Sequence, residues 1–257
     1  MKTILITLLL IATTLPAVWA QRTVDAKEIL AKINRKEVVA YENATITGDL
    51  DLTELANKKR VTKNLWAENE AYESTVERPV TFRNCTFRGN FLAYKNVKTE
   101  GRFLNGSGIM FATHFTEPVT FENCTFEKAS EFKYSDFNQR ASFIGTGFRE
   151  EANFKYAKFR ALADFTDARF AKTGNFKYTS FKEAIAFRKA RFDQYADFKY
   201  TKFDEGVNFN NTRFDGTADF KYTHLPRNSS FDETVFDGPT DFKYATLDGR
   251  KFSPSRH

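Results

Sequence analysis

The feature that most limits what this chain can fold into is a step of eleven. A phenylalanine stands at 121, 132, 143, 154, 165, 176, 187, 198, 209, 220, 231 and 242 without a slip. A second series runs through 126, 137, 148, 159, 170, 181, 192, 203, 214, 225, 236 and 247, all Phe except Leu225 and Leu247. The spacing therefore alternates five and six. Two residues before nearly every one of these positions is a small residue, among them Ala152, Ala157, Ala163, Ala168, Gly174, Thr179, Ala190, Ala196, Thr201, Thr212, Ala218 and Thr223, with Ile185 the largest exception. With 29 Phe against two Met and two Trp, one structural slot is being filled many times, which is the mark of a repeat protein.

An eleven-residue repeat can wind helices into a right-handed supercoil. At about 100° per residue, however, positions i and i+5 lie ~140° apart and i−2 lies ~160° from i, so the Phe and its small companion would face opposite sides. Extended backbone puts i−2 and i on one face, and a step of five changes parity and requires a corner. The pattern therefore predicts short straight segments joined by turns, each pointing one large and one small residue inward.

The phrases ANFKY, AKFRA, ADFTD, ARFAK and ADFKY resemble the pentapeptide-repeat family, whose unit is a small residue, a polar residue, a central Leu or Phe and two variable residues. The resemblance is strict over 119–249 and looser over 44–118; the near-exclusive Phe and the sixth residue in every second unit depart from the family pattern. It implies an all-β fold, a right-handed four-sided β-helix with the central and i−2 residues inside. Sides of five, six, five and six residues make a coil of 22, so residues 22 apart should stack at the strand spacing of ~4.8 Å. Twelve 11-residue units then give six coils, roughly 29 Å of solenoid. A leucine-rich repeat would need apolar residues at spacings of three and two with an Asn or Cys, which no unit has.

Stacking turns the repeated FKY into an outward ladder: Lys133-Tyr134, Lys155-Tyr156, Lys177-Tyr178, Lys199-Tyr200, Lys221-Tyr222 and Lys243-Tyr244. The alternate units carry outward Arg169, Arg191 and Arg213 with Asp193 and Asp215.

Residues 1–20 read as a secretory signal, with Lys2 before the apolar run Ile4 to Val18 and a small-residue cleavage site at Val18-Trp19-Ala20. The mature chain is expected to be secreted or periplasmic, starting near Gln21 with no stable membrane anchor. Over 21–43, Thr23 to Glu37 predicts a helix that covers the first coil, with Ile29, Leu30 and Ile33 on one face and Asp25 and Glu28 as a capping box. Residues 44–118 read as irregular first coils: Leu50 and Leu55 point inward, Ala56 to Pro79 is a polar loop, and a loop or β-hairpin around Lys95 to Gly108 breaks the register. Residues 119–249 form the regular β-helix and 250–257 a polar tail, which leaves the last coil poorly covered and favours a homodimer through it. Cys85 and Cys124 occupy equivalent inward positions in TFRNCTF and TFENCTF. With the inserted hairpin they stack on adjacent coils, either as a disulfide or as two free buried thiols.

Without the signal the charge is mild, 38 Lys plus Arg (39 less Lys2) against 33 Asp plus Glu, both signs interleaved, with no nucleic-acid footprint. No nucleophile with a base, phosphate loop or metal-ligand spacing appears, so no catalysis and no cofactor or metal is expected. Family members that resemble DNA are acidic and cytoplasmic, and that activity does not carry over to a basic exported chain. The expected role is a non-catalytic structural or scaffolding module whose Lys-Tyr ladder meets a protein or glycan, by stacking on sugar rings or by contacting an anionic polymer. The alternative is a carbohydrate-binding or carbohydrate-active β-helix of the cell envelope. The ladder also admits a purely structural reading, tyrosines packing on each other beside exposed Lys-Asp pairs with Asp197, Asp219 and Asp241. The sequons at Asn43, Asn84, Asn105, Asn123, Asn210 and Asn228 are assigned no role.

Overall fold

A computed structural model describes residues 22–61, 70–98 and 108–253. Residues 1–20, where the sequence predicts a signal, and Asn105 lie outside these residues.

From Val119 onward the chain visits four parallel sheets in rotation. One coil runs through Val119–Glu122 (first face), Thr125–Phe126 (second), Ser130–Glu131 (third) and Asp136–Phe137 (fourth) before returning to the first sheet at Ala141–Ser142. Register follows the 22-residue step: Val119 pairs with Ala141, then Ala163, Ile185 and Val207. The strands are short because each side of the coil holds only five or six residues, so little remains between corners.

The corners explain the two variable residues of each unit. After the first and third faces the amide at i+3 donates back to the Phe carbonyl, as from Thr146 to Phe143 and from Ser135 to Phe132, both at 3.1 Å. The residue at i+2 adopts positive φ, for example Asp167 at 57° and Tyr178 at 60°, the pattern of a type II turn. Threonine at the next inward position is buried but satisfied. Thr146, Thr179, Thr201, Thr212, Thr223 and Thr234 each donate to a Phe carbonyl of the coil beneath at 2.6–2.8 Å.

Inside, phenylalanines stack in columns. Phe165 lies parallel to Phe143 and Phe187 at centroid distances of 4.7 and 5.0 Å, and meets Phe154 and Phe176 of the opposite column edge-on at 5.3 and 5.4 Å. Parallel contacts within a column and edge contacts between columns are both favourable ring geometries, worth about 0.5–1.5 kcal/mol each beyond area burial.

The N-terminal cap departs from expectation in its start. Arg22–Asp25 is a strand, pairing in parallel with Ala44–Thr47, because Val24 is needed inside the first coil. Helix α1 spans only Ala26–Asn34 and buries Ala26, Ile29 and Ile33. Asp25 caps it by accepting from the Lys27 amide. The carboxylate of Glu28 instead accepts from the Tyr41 hydroxyl at 2.7 Å, so it does not close the expected box. Leu50 and Leu55 are buried as expected.

The expected loop at 56–79 contains two strands. Lys59–Val61 pairs antiparallel with Ala71–Val76, which pairs in parallel with Met110–Phe115 and extends the fourth sheet; residues 62–69 lie outside the description. The hairpin around 95–108 is present: Tyr94–Lys98 runs antiparallel to Gly108–Phe115. The polar tail also folds. Asp248 and Gly249, both at positive φ, make a two-residue turn that brings Arg250–Lys251 back along Thr246–Leu247, the primed geometry that Asp-Gly favours. Phe252 then lies 5.1 Å from the Phe231 ring and 5.6 Å from Phe242, giving the last coil more cover than its polarity implied.

Phe165→Ala removes a fully buried ring from the middle of both column patterns and is expected to cost about 3–5 kcal/mol. Phe252→Ala, at the partly open end, is expected to cost less than half as much. Urea unfolding of the two variants checks the order, and equal costs would contradict the column packing.

Candidate binding face

The Lys-Tyr ladder is assembled as the 22-residue step requires. Tyr134, Tyr156, Tyr178, Tyr200, Tyr222 and Tyr244 stand one above another with ring centroids 4.7–4.9 Å apart; successive rings from Tyr134 to Tyr222 lie within 8° of parallel, and Tyr244 tilts 24° from Tyr222. All six occupy the positive-φ place of the turn after the third face, at φ of 57–62°. That conformation costs a side chain ~1 kcal/mol or more. The same place after the first face holds Asn123, Gly145, Asp167, Lys189, Asn211 and Glu233. The backbone therefore does not ask for tyrosine, and the reason for six tyrosines lies in their side chains.

Because each ring covers the next, ring faces inside the stack are closed to a sugar, which corrects the expectation of stacking on sugar rings. The edges and hydroxyls remain. None of the six hydroxyls has a partner among the described residues, and Tyr178, Tyr200 and Tyr222 keep 37–39% exposure.

The lysines divide into two groups. Lys199 reaches Asp197, Asp219 and the Tyr195 hydroxyl at 3.5, 3.2 and 3.2 Å, and Lys221 reaches Asp219 and Asp241 at 3.6 and 3.1 Å. Asp197 and Asp219 are buried, so their pairs are not the exposed ones anticipated, whereas the Lys221–Asp241 pair is, with side chains 32% and 40% exposed. Each aspartate also accepts the amide of the lysine two residues on. Burial pushes the Asp197 carboxyl up, opposed by the Lys199 amide and ammonium. Lower in the stack, asparagine takes the aspartate's place at Asn153 and Asn175, whose side chains accept the same amides. Lys155 and Lys177, which follow these asparagines, and Lys133, which follows Glu131, lie over Tyr156, Tyr178 and Tyr134 at 5.1–5.2 Å, with no carboxylate within ion-pair distance among the described residues. Burial, then repulsion from Lys133 and Lys177, lowers the Lys155 pKa.

On the other side of the tyrosines, the outer surface of the fourth face forms an open groove of about 1140 Å³. Tyr134, Tyr156 and Tyr178 make one wall, and the floor carries Lys59, Glu73, His114, Asp136, Lys158, Arg160, Lys182 and Lys202. Seven strands cross it, from Lys59–Val61 to Lys202–Phe203, roughly 29 Å at one strand spacing per step. Asp136 is taken by Arg160 at 2.6 Å, and Lys182 by Asp204 at 2.7 Å. The His114 Nδ1 accepts the Asp136 amide, which leaves Nε2 facing Glu73 at 3.4 Å. Lys202 has no ion-pair partner among the described residues. Sequence reading passed over this floor because its residues belong to different units; the signal was present in the columns beside the inward Phe, read at steps of 22.

The arginines contrast with the lysines. Arg169 binds Asp193 of the next coil at 2.8 Å; Arg191 binds Asp193 and Asp215 at 3.0 and 2.6 Å; Arg213 spans Asp215 and Asp237. That staircase neutralises itself.

Cys85 and Cys124 are buried neighbours beside the second face, where Thr86 pairs with Thr125, and of the two expected states the structure holds them as free thiols. Asn43, Asn84 and Asn123 hold positive-φ corner places. Among the described residues no group of three or more His, Cys, Asp or Glu is placed to hold a metal ion.

Glu131, at the foot of the ladder, is held above its ordinary value by burial, against a hydrogen bond from Asn153. The folded protein therefore holds that proton more tightly than the unfolded chain, and stability rises as pH falls from neutral through the raised value, levelling off below the ordinary one. Glu131→Gln is expected to raise stability at pH 7 by roughly 1 kcal/mol or less and to leave pH 4 unchanged. Urea unfolding at the two pH values checks it, and destabilisation at pH 7 would refute the assignment.

The profile described as Pentapeptide repeats (9 copies) matches residues 111–158, 154–202 and 198–246, more than half of the chain. Searches of the curated proteins and of the solved structures return no match. With the matched units falling on the stacked coils described above, the chain belongs to the pentapeptide-repeat family.

Proposed function

We propose that this chain is an exported, non-catalytic binding module whose tyrosine corner and adjoining groove hold a linear acidic glycan along the solenoid axis. The observation that carries this reading is a stack of phenols with unpaired hydroxyls, flanked by the ammonium groups of Lys133, Lys155 and Lys177 on one side and Lys202 on the other. Closed ring faces leave edges, hydroxyls and ammonium groups as the contact atoms, which suit a carboxylate-bearing polymer better than a neutral one. The groove is open along its length and repeats at strand spacing, so it fits an extended chain rather than a compact molecule. As a repeat module of this family the protein supplies a rigid structural frame, and the charged corner is the part that contacts the polymer.

Affinity electrophoresis in gels containing a polyuronate or a neutral glucan tests the reading. The mature chain is expected to be retarded by the polyuronate alone, less so as salt rises. Lys155→Gln, Lys177→Gln and Lys202→Gln are each expected to weaken retardation roughly two- to fivefold. Changing Tyr156, Tyr178 and Tyr200 together to Ser is expected to abolish it while the circular dichroism of the fold persists. A charge-matched control, Lys128→Gln, keeps the groove. If it loses retardation equally, binding reflects net charge alone and the assignment of this face fails.

A further inference from the structure

The binding face leaves unexplained the only two cysteines of the 257 residues. They sit in one inward column of the second face, which reads Ala44, Cys85, Cys124, Thr146, Ala168, Ala190, Thr212 and Thr234 from one end to the other. Three threonines of this column donate to the carbonyl of a Phe one coil below. The thiols imitate that bond: Cys124 Sγ lies 3.4 Å from the Phe82 carbonyl oxygen and Cys85 Sγ 3.6 Å from that of Tyr41. Threonine or alanine thus serves the packing at this position, and packing alone does not account for two cysteines on adjacent rungs.

Their placement suits a bond between them. The Thr125 amide donates to the Cys85 carbonyl at 2.8 Å, and Phe87 pairs with Phe126, so the two cysteines lie side by side, each immediately before one of two in-register parallel strands. Strand spacing puts their α-carbons ~4.8 Å apart, inside the range that a disulfide spans. Both side chains point inward, and both residues are only 1% exposed. The proximity of the two thiols draws Cys85 down to about 7 and pushes Cys124 up.

We infer that Cys85 and Cys124 are the site of an inter-coil disulfide, formed during folding by exchange with a small or protein-borne disulfide. The Cys85 thiolate attacks one sulfur of the oxidant R–S–S–R, giving a mixed disulfide and releasing one RS⁻, which takes up the proton that Cys85 lost. Cys124, deprotonated, then attacks the Cys85 sulfur and releases the second thiol. Two protein thiols are oxidised and one external disulfide is reduced to two RSH. Burial requires that the exchange precede closure of the coil. The bond spans the one place in the stack where consecutive rungs are separated by the inserted hairpin, 39 residues rather than 22. It ties the irregular first coils to the regular ones and closes the longest loop between neighbouring inward positions above Phe82.

The test is refolding from urea in glutathione buffers of graded potential, followed by quenching with N-ethylmaleimide in denaturant and intact-mass measurement. Under oxidising buffers the chain is expected to carry no maleimide, to weigh about 2 Da less than the reduced chain, and to yield one linked peptide pair containing Cys85 and Cys124. Its melting midpoint is expected to exceed that of the reduced chain by roughly 5–15 °C. The double variant Cys85→Thr with Cys124→Thr, which keeps the column's hydrogen bond, is expected to melt with the reduced chain in both buffers. Two maleimides at every potential would overturn the inference, as would an oxidised chain that melts no higher than the reduced one.

Discussion

Everything in this molecule depends on one geometric coincidence: the spacing of hydrogen-bonded strands, ~4.8 Å, is also a good spacing for aromatic rings lying over one another. A parallel, in-register coil puts each residue directly above its predecessor, so any aromatic at a fixed place in the coil becomes a stacked column. Inside, this gives the Phe columns, with parallel centroid distances such as 4.7 Å for Phe132–Phe154 and 5.1 Å for Phe154–Phe176. Outside, it gives the tyrosine stack at the corner. Core and surface are ordered by the same translation, and neither requires long strands.

The regular coils were legible because the constraint is periodic. A Phe every eleven residues with a small residue two before it leaves no helical solution, and the turn geometry follows from what five and six residues can span. The irregular parts were less legible for the opposite reason. Val24 belongs to a strand because the first coil needs a side chain there, a demand made by Ile46 and Ala44 across space and not by neighbours in sequence. Ala71–Val76 is a strand because it extends the edge offered by Met110–Phe115. The hairpin at the C-terminal end did leave a local trace, the Asp248-Gly249 pair, hidden by the polarity around it. Of the binding face, the ladder could be read from FKY alone. The groove could not, because Lys158, Lys182 and Lys202 come from units whose charges vary freely, and the asymmetry between paired and unpaired lysines depends on which carboxylates the fold brings within reach.

That asymmetry separates surface that is merely solvated from surface that has unmet charge. On the second face, Arg191 meets Asp193 of its own coil at 3.0 Å and Asp215 of the next at 2.6 Å, Arg213 does the same with Asp215 and Asp237, and Arg169 reaches Asp193 of the next coil. At the upper ladder, Asp197 and Asp219 do the same for Lys199 and Lys221. In the lower ladder the aspartate is replaced by Asn153 and Asn175, which keep the amide hydrogen bond to the following lysine and drop the charge. The exchange leaves the turn intact and the Lys155 and Lys177 ammonium groups without an ion pair among the described residues. A carboxylate there would serve the fold equally well, so the unmet charge sits at the coils where the groove lies.

A solenoid built this way presents its surface as a ruler. Each coil repeats the same contact atoms after one strand spacing, and a linear polymer lying along the axis meets them one after another. Exposed contacts of this kind are individually weak, but once one is made the next is presented at high effective concentration, so the sum over several coils exceeds what any one provides. Rigidity is the condition for that gain, because a frame that flexed would lose register between ligand and ladder. The stacked phenols contribute to it directly: adjacent rings 4.8 Å apart at Tyr156–Tyr178 and Tyr178–Tyr200 hold each other's edges in line. The tyrosines thus pack on one another and still present their edges, so a structural ladder and the proposed recognitive one do not exclude each other, since the stack that closes the ring faces also aligns the hydroxyls and the lysines beside them.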